Sequence, residues 1–178
     1  RNILMGSQLV QDQVTHFYQL TSLDWVNVVA ASQADPGKAS ELQKCLSSWP
    51  NNSRDYFEAV RRKLADFIAG GQLGLFTGYW DHPGYTLPAE FNLVLFAHWL
   101  EALEWQRKVL RVHAVLGGRN PHPNFAVGGV PLAINMAPDA AGVLRPTPGT
   151  TGLDQKGLDL IQASVTEMRD FVARVLRP

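Results

Sequence analysis

Pro88-Ala89-Glu90-Phe91-Asn92-Leu93-Val94-Leu95-Phe96-Ala97-His98-Trp99-Leu100-Glu101-Ala102-Leu103-Glu104-Trp105-Gln106-Arg107-Lys108-Val109-Leu110-Arg111-Val112-His113-Ala114-Val115-Leu116 carries the strongest helical periodicity in the chain. Pro88 suits a first helical turn, where its missing N–H costs nothing. Leu93, Phe96, Leu100, Leu103 and Val115 line one side of the predicted helix Ala89 to Leu116, while Val94, Trp99, Val109 and Val112 broaden it. Apolar residues around most of the circumference predict a helix buried by several neighbours. Glu104 and Lys108 have the i, i+4 spacing of an ion pair on the remaining face. The most hydrophobic part, Phe91 to Leu103, contains His98 and Glu101, and is too short and too polar to span a membrane.

Helices are also predicted on the N-terminal side. Ile3 to Leu20 places Leu9, Val10, Val14, Phe17 and Tyr18 at helical spacing. Asp24 is positioned to cap a short helix through Trp25 to Ala31. Asp35-Pro36-Gly37 reads as a turn before a helix from Ala39 to Ser47. Ser53 can cap a helix from Arg54 to Ala69, which Gly70-Gly71 ends. Gly78 to Pro88, rich in turn formers and aromatics, reads as an ordered loop. On the C-terminal side, the prolines and glycines of Gly117 to Asn135 forbid helix. Phe125-Ala126-Val127 could form a short strand there. A last helix, Leu153 to Leu176, carries Leu158, Ile161, Val165, Met168, Phe171, Val172 and Val175 as its stripe. The fold class is mainly α, with short β pieces in the central loops.

Composition excludes more than it selects. A chain of 178 residues fits one domain with a sizeable core. Lysine plus arginine equal aspartate plus glutamate, 16 against 16, so charge gives no argument for nucleic acid or an anionic membrane as partner. The single cysteine, Cys45, can build neither an internal disulfide nor a thiolate cage. The chain opens on Arg1-Asn2 with no initiator methionine, no secretory signal and no transmembrane segment, which leads us to expect processing or a cut from a longer chain. His82, His98 and His113 match no short zinc spacing. The central glycines are followed by no Gly-Lys-Ser/Thr, so they form no phosphate loop.

Four collinear segments carry a family resemblance. Gly117-Gly118-Arg119-Asn120-Pro121-His122-Pro123-Asn124, continuing through Phe125-Ala126-Val127-Gly128-Gly129-Val130-Pro131, resembles a signature of nickel–iron hydrogenase large subunits. Arg1 to Met5 with Asp12, His16-Phe17-Tyr18 and Leu23-Asp24-Trp25-Val26 looks like that family's helix after its first cysteine pair. Gly78-Tyr79-Trp80, His82-Pro83, Tyr85 and Leu87-Pro88 look like its aromatic loop, and His98 to Leu103 with Trp105-Gln106 like its long central helix. The resemblance spans nearly the whole chain and is nearest to the membrane-associated uptake group.

The resemblance implies that residues 1–178 are a single, incomplete segment of the large-subunit fold. It implies heterolytic H2 oxidation at a nickel–iron centre whose iron carries cyanide and carbon monoxide. Electrons would pass to a small subunit holding iron–sulfur clusters, on the periplasmic side of the cytoplasmic membrane. Two Cys-x-x-Cys pairs hold the centre in the family. They are expected upstream of Arg1 and beyond Pro178, so no metal ligand is assigned within the chain, and the isolated segment is expected to bind no nickel and to be inactive.

By resemblance, Asp12 matches the aspartate above the nickel. A carboxylate there can orient a guanidinium and take part in proton movement. His16 lies four residues on, on the same helical face. It is either close to the active site or a histidine packed beside Phe17 and Tyr18. His122, aimed by Pro121 and Pro123, and Arg119 are placed near the small subunit's iron–sulfur cluster. Gln11 and Gln13 flank Asp12 where relatives usually carry histidine at one or both positions, and Leu132 stands where close relatives often have cysteine. A rival expectation is a non-catalytic helical scaffold or interaction remnant without a metal site. A four-helix metal carrier would need clustered Glu-x-x-His patterns, which are absent. The apolar girth of the long helix also predicts exposed apolar surface that other parts of the subunit would cover.

Overall fold

In a computed structural model the stretch quoted above is one helix, α5, Ala89–Gly117. The structure describes residues 2–73, 82–117, 120, 133–134, 152–153 and 155–176. Among the described residues five further helices accompany α5: α1 (Asn2–Thr15), α2 (Val28–Ala31), α3 (Pro36–Leu46), α4 (Arg54–Ala69) and α6 (Gln155–Leu176). A turn of π-helix, His16–Thr21, and a turn of 3-10 helix, Ser22–Trp25, follow α1. Two short strands, β1 (Ala133–Ile134) and β2 (Gly152–Leu153), pair in parallel, with Ala133 opposite Gly152 and Ile134 opposite Leu153. The strand expected at Phe125-Ala126-Val127 lies outside the described residues.

Local chemistry accounts for most boundaries. The Ser53 hydroxyl accepts from Tyr56 N–H at 3.1 Å and caps α4. Gly70 closes the helix and Gly71 takes a positive φ of 66°, a conformation that costs glycine little. Asp35 does more than make a turn. Its carboxylate accepts from Gly37 and Lys38 N–H at 2.7 and 3.2 Å, so α3 starts at Pro36 and not at Ala39. These two bonds hold the Asp35 carboxyl below its usual range. The cap of α2 is Asn27, which accepts from Ala30 N–H at 2.8 Å, and not Asp24. Asp24 lies inside the 3-10 turn. The helix expected to reach Leu20 stops as α-helix at Thr15 and widens into the π-turn.

The chain divides into two compact units. One comprises Val14–Leu103 with Ala173–Pro178. Its core gathers Val26, Val28, Ala31 and Ala39 with Phe57, Val60 and Leu64 of α4 and Leu93, Val94, Phe96 and Ala97 of α5. Burying a side chain of the size of Phe57 or Leu64 contributes about 2 kcal/mol. Asn92 is buried and ties two segments together. Its amide donates to the carbonyls of Leu87 and Pro88 at 3.0 and 3.1 Å and accepts from Asn27 N–H at 2.8 Å.

The other unit comprises Arg1–Gln13 with Glu104–Val172. Trp105 of α5 stacks on Phe171 of α6, with centroids 4.8 Å apart. Lys108 bonds Glu167 at 2.6 Å, while Glu104 pairs with Arg107 at 3.2 Å. The Glu104–Lys108 pair expected from spacing gives way to a partner on another helix, because α6 passes beside that face. In the α6 stripe Ile161, Met168 and Phe171 are buried, whereas Val165 is exposed.

Candidate functional site

The buried residues of α1 and the π-turn are Leu4, Ser7, Gln11, Val14 and Tyr18, at steps of three and four. This stripe is partly polar. Of the apolar residues that helical spacing picked out, Val14 and Tyr18 are buried, whereas Leu9 and Phe17 are more than half exposed. Asp12 is exposed, and its carboxylate accepts from Gln8 Nε2 at 2.6 Å, one turn earlier. The exposed His16 opens the π-turn, and its carbonyl accepts from Thr21 Oγ1 at 3.2 Å. The flanking Gln11 is buried, and among the described residues its Oε1 has no hydrogen-bond partner. His122 and Arg119 lie outside the described residues.

Sequence spacing gave no sign of a polar string in the same unit. His113 of α5 is fully buried. Its Nε2 lies 2.9 Å from Ser7 Oγ, and its Nδ1 meets the side-chain amide nitrogen of Asn120. Ser7 Oγ donates its one proton to Leu4 O at 2.9 Å, so it must accept from His113 Nε2–H. Asn120 donates to Nδ1. Both ends therefore demand the same neutral tautomer, protonated at Nε2. Burial pushes the ring's pKa down, and the charge of Asp12 opposes part of that. Ser7 and His113 stand 106 positions apart. The one local hint was that Asn120 lies three residues beyond Gly117, the last residue of α5.

A second network lies in the Val14–Leu103 unit. Glu101 accepts from Trp49 Nε1 and from Tyr56 OH, each at 2.8 Å. His98 stacks on Trp49 with centroids 3.9 Å apart and bonds Gln43 Oε1 at 2.7 Å. The Arg174 guanidinium sits 5.9 Å from the Trp49 ring centroid, within cation–π range. Burial lowers the His98 pKa to about 4. Burial first, then the Glu101 charge, raises Tyr18 to about 12 and pushes Tyr56 up further. The network is a satisfied brace with its histidine neutral.

An open cleft of about 650 Å³ is lined by Asp24, Trp25, His82, Tyr85 and Leu87. His82 Nδ1 accepts from Gly84 N–H at 3.0 Å, so one of its nitrogens serves the turn. Tyr85 packs against the core, while Tyr79 and Trp80 lie outside the described residues. Among the described residues no three histidine, cysteine, aspartate or glutamate side chains gather to hold a metal. Cys45 is exposed on α3. No helix among the described residues is long and apolar enough to cross a membrane.

Comparison with known proteins gives this arrangement its context. The family model described as nickel-dependent hydrogenase matches residues 1–178. The chain is similar to the Hydrogenase-1 large chain of Escherichia coli (strain K12), 48% identical over all of this chain and 29% of the relative. It is similar to the Hydrogenase-2 large chain of the same organism, 45% identical over 99% of this chain and 30% of the relative. The uptake hydrogenase large subunit of Rhizobium leguminosarum bv. viciae is 40% identical over all of this chain and 29% of its own length. The chain thus spans about three-tenths of the length of these curated relatives. With the family model matched from end to end, the chain belongs to the nickel-dependent hydrogenase family.

Proposed function

We propose that this chain is a stretch of a hydrogenase large subunit that oxidises H2 heterolytically, with electrons leaving through a small subunit holding iron–sulfur clusters. The observation that carries the reading is the family match over all 178 residues, in line with the collinear motifs from Asp12 to Pro131. A nickel–iron centre with cyanide and carbon monoxide on its iron would supply the site of H–H cleavage. The residues present do not make a thiolate set for it, since Cys45 is the chain's single thiol and is exposed. We assign its ligands to the rest of a subunit whose relatives are more than three times as long.

What this stretch contributes is a helical scaffold and proton-handling groups. The Asp12 carboxylate, exposed on α1 and held by Gln8, can take up and release a proton and orient a guanidinium supplied from elsewhere in the subunit. His16, also exposed, lies one turn further along the chain from Asp12. Arg119 and His122 are assigned to the contact with the small subunit. We assign the subunit to the membrane, on its periplasmic side; likeness to an uptake hydrogenase large subunit supports the membrane association.

The test is Asp12→Asn in the complete large subunit paired with its small subunit. Hydrogen oxidation should fall by about tenfold or more, a typical scale for a lost proton-transfer group, with nickel content unchanged. Full activity would remove Asp12 from the mechanism. The exposed single thiol also favours a second reading, a scaffold without a metal site, and nickel analysis of the complete subunit separates the two.

A further inference from the structure

Ser7, His113 and Asn120 link two stretches distant in sequence: the helix that carries Asp12, and the end of α5 with the Gly117–Pro131 motif that follows it. The donors run one way. Asn120 Nδ2–H points to His113 Nδ1, His113 Nε2–H to Ser7 Oγ, and Ser7 Oγ–H to the Leu4 carbonyl 2.9 Å away. Each group in such a chain polarises the next, so a string centred on a buried ring is stiffer than its separate bonds. Protonating the ring at Nδ1 would set two donors against each other at Asn120. Replacing the ring by an apolar side chain would strand Ser7 and Asn120 without their partner. Ser7 and Asp12 share α1, five residues apart, and the Asp12 charge is felt at His113.

We infer that His113 is a positioning residue, whose neutral ring clamps the Asp12-bearing segment of α1 to Asn120 through Ser7 and so fixes where the Asp12 carboxylate stands. This rests on the reading of Asp12 as a proton-handling group. His113 touches no reacting atom and acts through the helix it holds. Glutamine can reproduce its pattern, accepting from Asn120 through Oε1 and donating to Ser7 through Nε2, whereas leucine can do neither.

The experiment uses the complete large subunit paired with its small subunit, with two readouts. The first is amide hydrogen exchange over residues 2–13. In His113→Leu these amides should open about tenfold more often, the consequence of one lost buried hydrogen bond, and His113→Gln should restore wild-type exchange. Unchanged exchange in His113→Leu overturns the clamp, whatever Asp12 does. The second readout is steady-state H2 oxidation. His113→Leu should lower kcat by about tenfold with KM for H2 within about twofold, as expected when placement of a proton-transfer group is lost. In an Asp12→Asn background the same change should lower kcat no further, because both act through one carboxylate. Losses that multiply overturn the link from His113 to Asp12. If Asp12→Asn alone leaves kcat intact, the reading of Asp12 fails, and the exchange data still decide whether His113 holds the helix. Asn120→Ala breaks the string at its other end and carries the same two readouts should His113→Leu fail to assemble.

Discussion

Acidification should loosen the Trp49 brace through His98. The ring's pKa falls from 6.5 to about 4 in the fold because burial disfavours its charged form. The unfolded or locally opened chain therefore binds more protons below pH 6.5 than the closed one, and stability rises with pH. The contribution is complete above about pH 6.5, declines as pH falls, and levels off near about pH 4, where the closed form also protonates. At about 1.4 kcal/mol per pH unit, the gap between the two values corresponds to about 3 kcal/mol. The structure explains why nothing offsets this cost. One face of the ring is stacked on Trp49 at 3.9 Å and its Nε2 is committed to Gln43 Oε1. A second ring proton would gain no carboxylate among its hydrogen-bond partners. The assay is amide exchange across α3 and the Ser47–Asn52 segment in the complete subunit, corrected for the intrinsic pH dependence of exchange. Wild-type opening should become easier by about 3 kcal/mol across that interval. His98→Phe keeps a ring for Trp49 but cannot titrate, so its opening should be flat with pH. It should also sit about 1 kcal/mol lower at neutral pH for the lost bond to Gln43. Equal pH slopes in the two proteins would show that His98 is not the group being titrated.

Two further changes probe neighbouring polar groups. Glu101→Gln removes the charge and leaves one oxygen for two donors, Trp49 Nε1 and Tyr56 OH. We expect a loss of about 2 kcal/mol in local stability and a downward move of the Tyr18 pKa from about 12, read by spectrophotometric titration; an unmoved Tyr18 would show that burial alone, without the Glu101 charge, raises it. Asn92→Leu removes the side-chain bonds to Asn27 N–H and to the Leu87 carbonyl while leaving Pro88 O bonded to the residue 92 amide. Thermal denaturation of the complete subunit should register about 3 kcal/mol of destabilisation, and a change below about 0.5 kcal/mol, the scale of an ordinary surface substitution, would contradict the bonding assigned to Asn92.

The sequence alone determined what local chemistry controls. Ser53 at its start and Gly70-Gly71 at its end set α4 from Arg54 to Ala69, and the span of α5 was legible to within a residue. The collinear motifs carried the family. What the sequence left open was every choice among equivalent faces and partners. Asp35 and Asn27 capped where a turn and Asp24 were expected, because helix starts compete over a few residues and packing picks the winner. Lys108 bonds Glu167 of α6 in place of Glu104, four residues away on its own helix, because α6 brings a carboxylate to within 2.6 Å. On α1 tertiary packing turned Ser7 and Gln11 inward and left Leu9 outside. A buried hydroxyl is tolerated only where a partner waits, and Ser7 finds its own in His113. Periodicity reports how a residue sits on its own helix. Which groups meet across the chain, as His113 meets Ser7 and Asn120, is fixed only when the helices pack, since the free energy of a buried hydrogen bond depends on both partners being present.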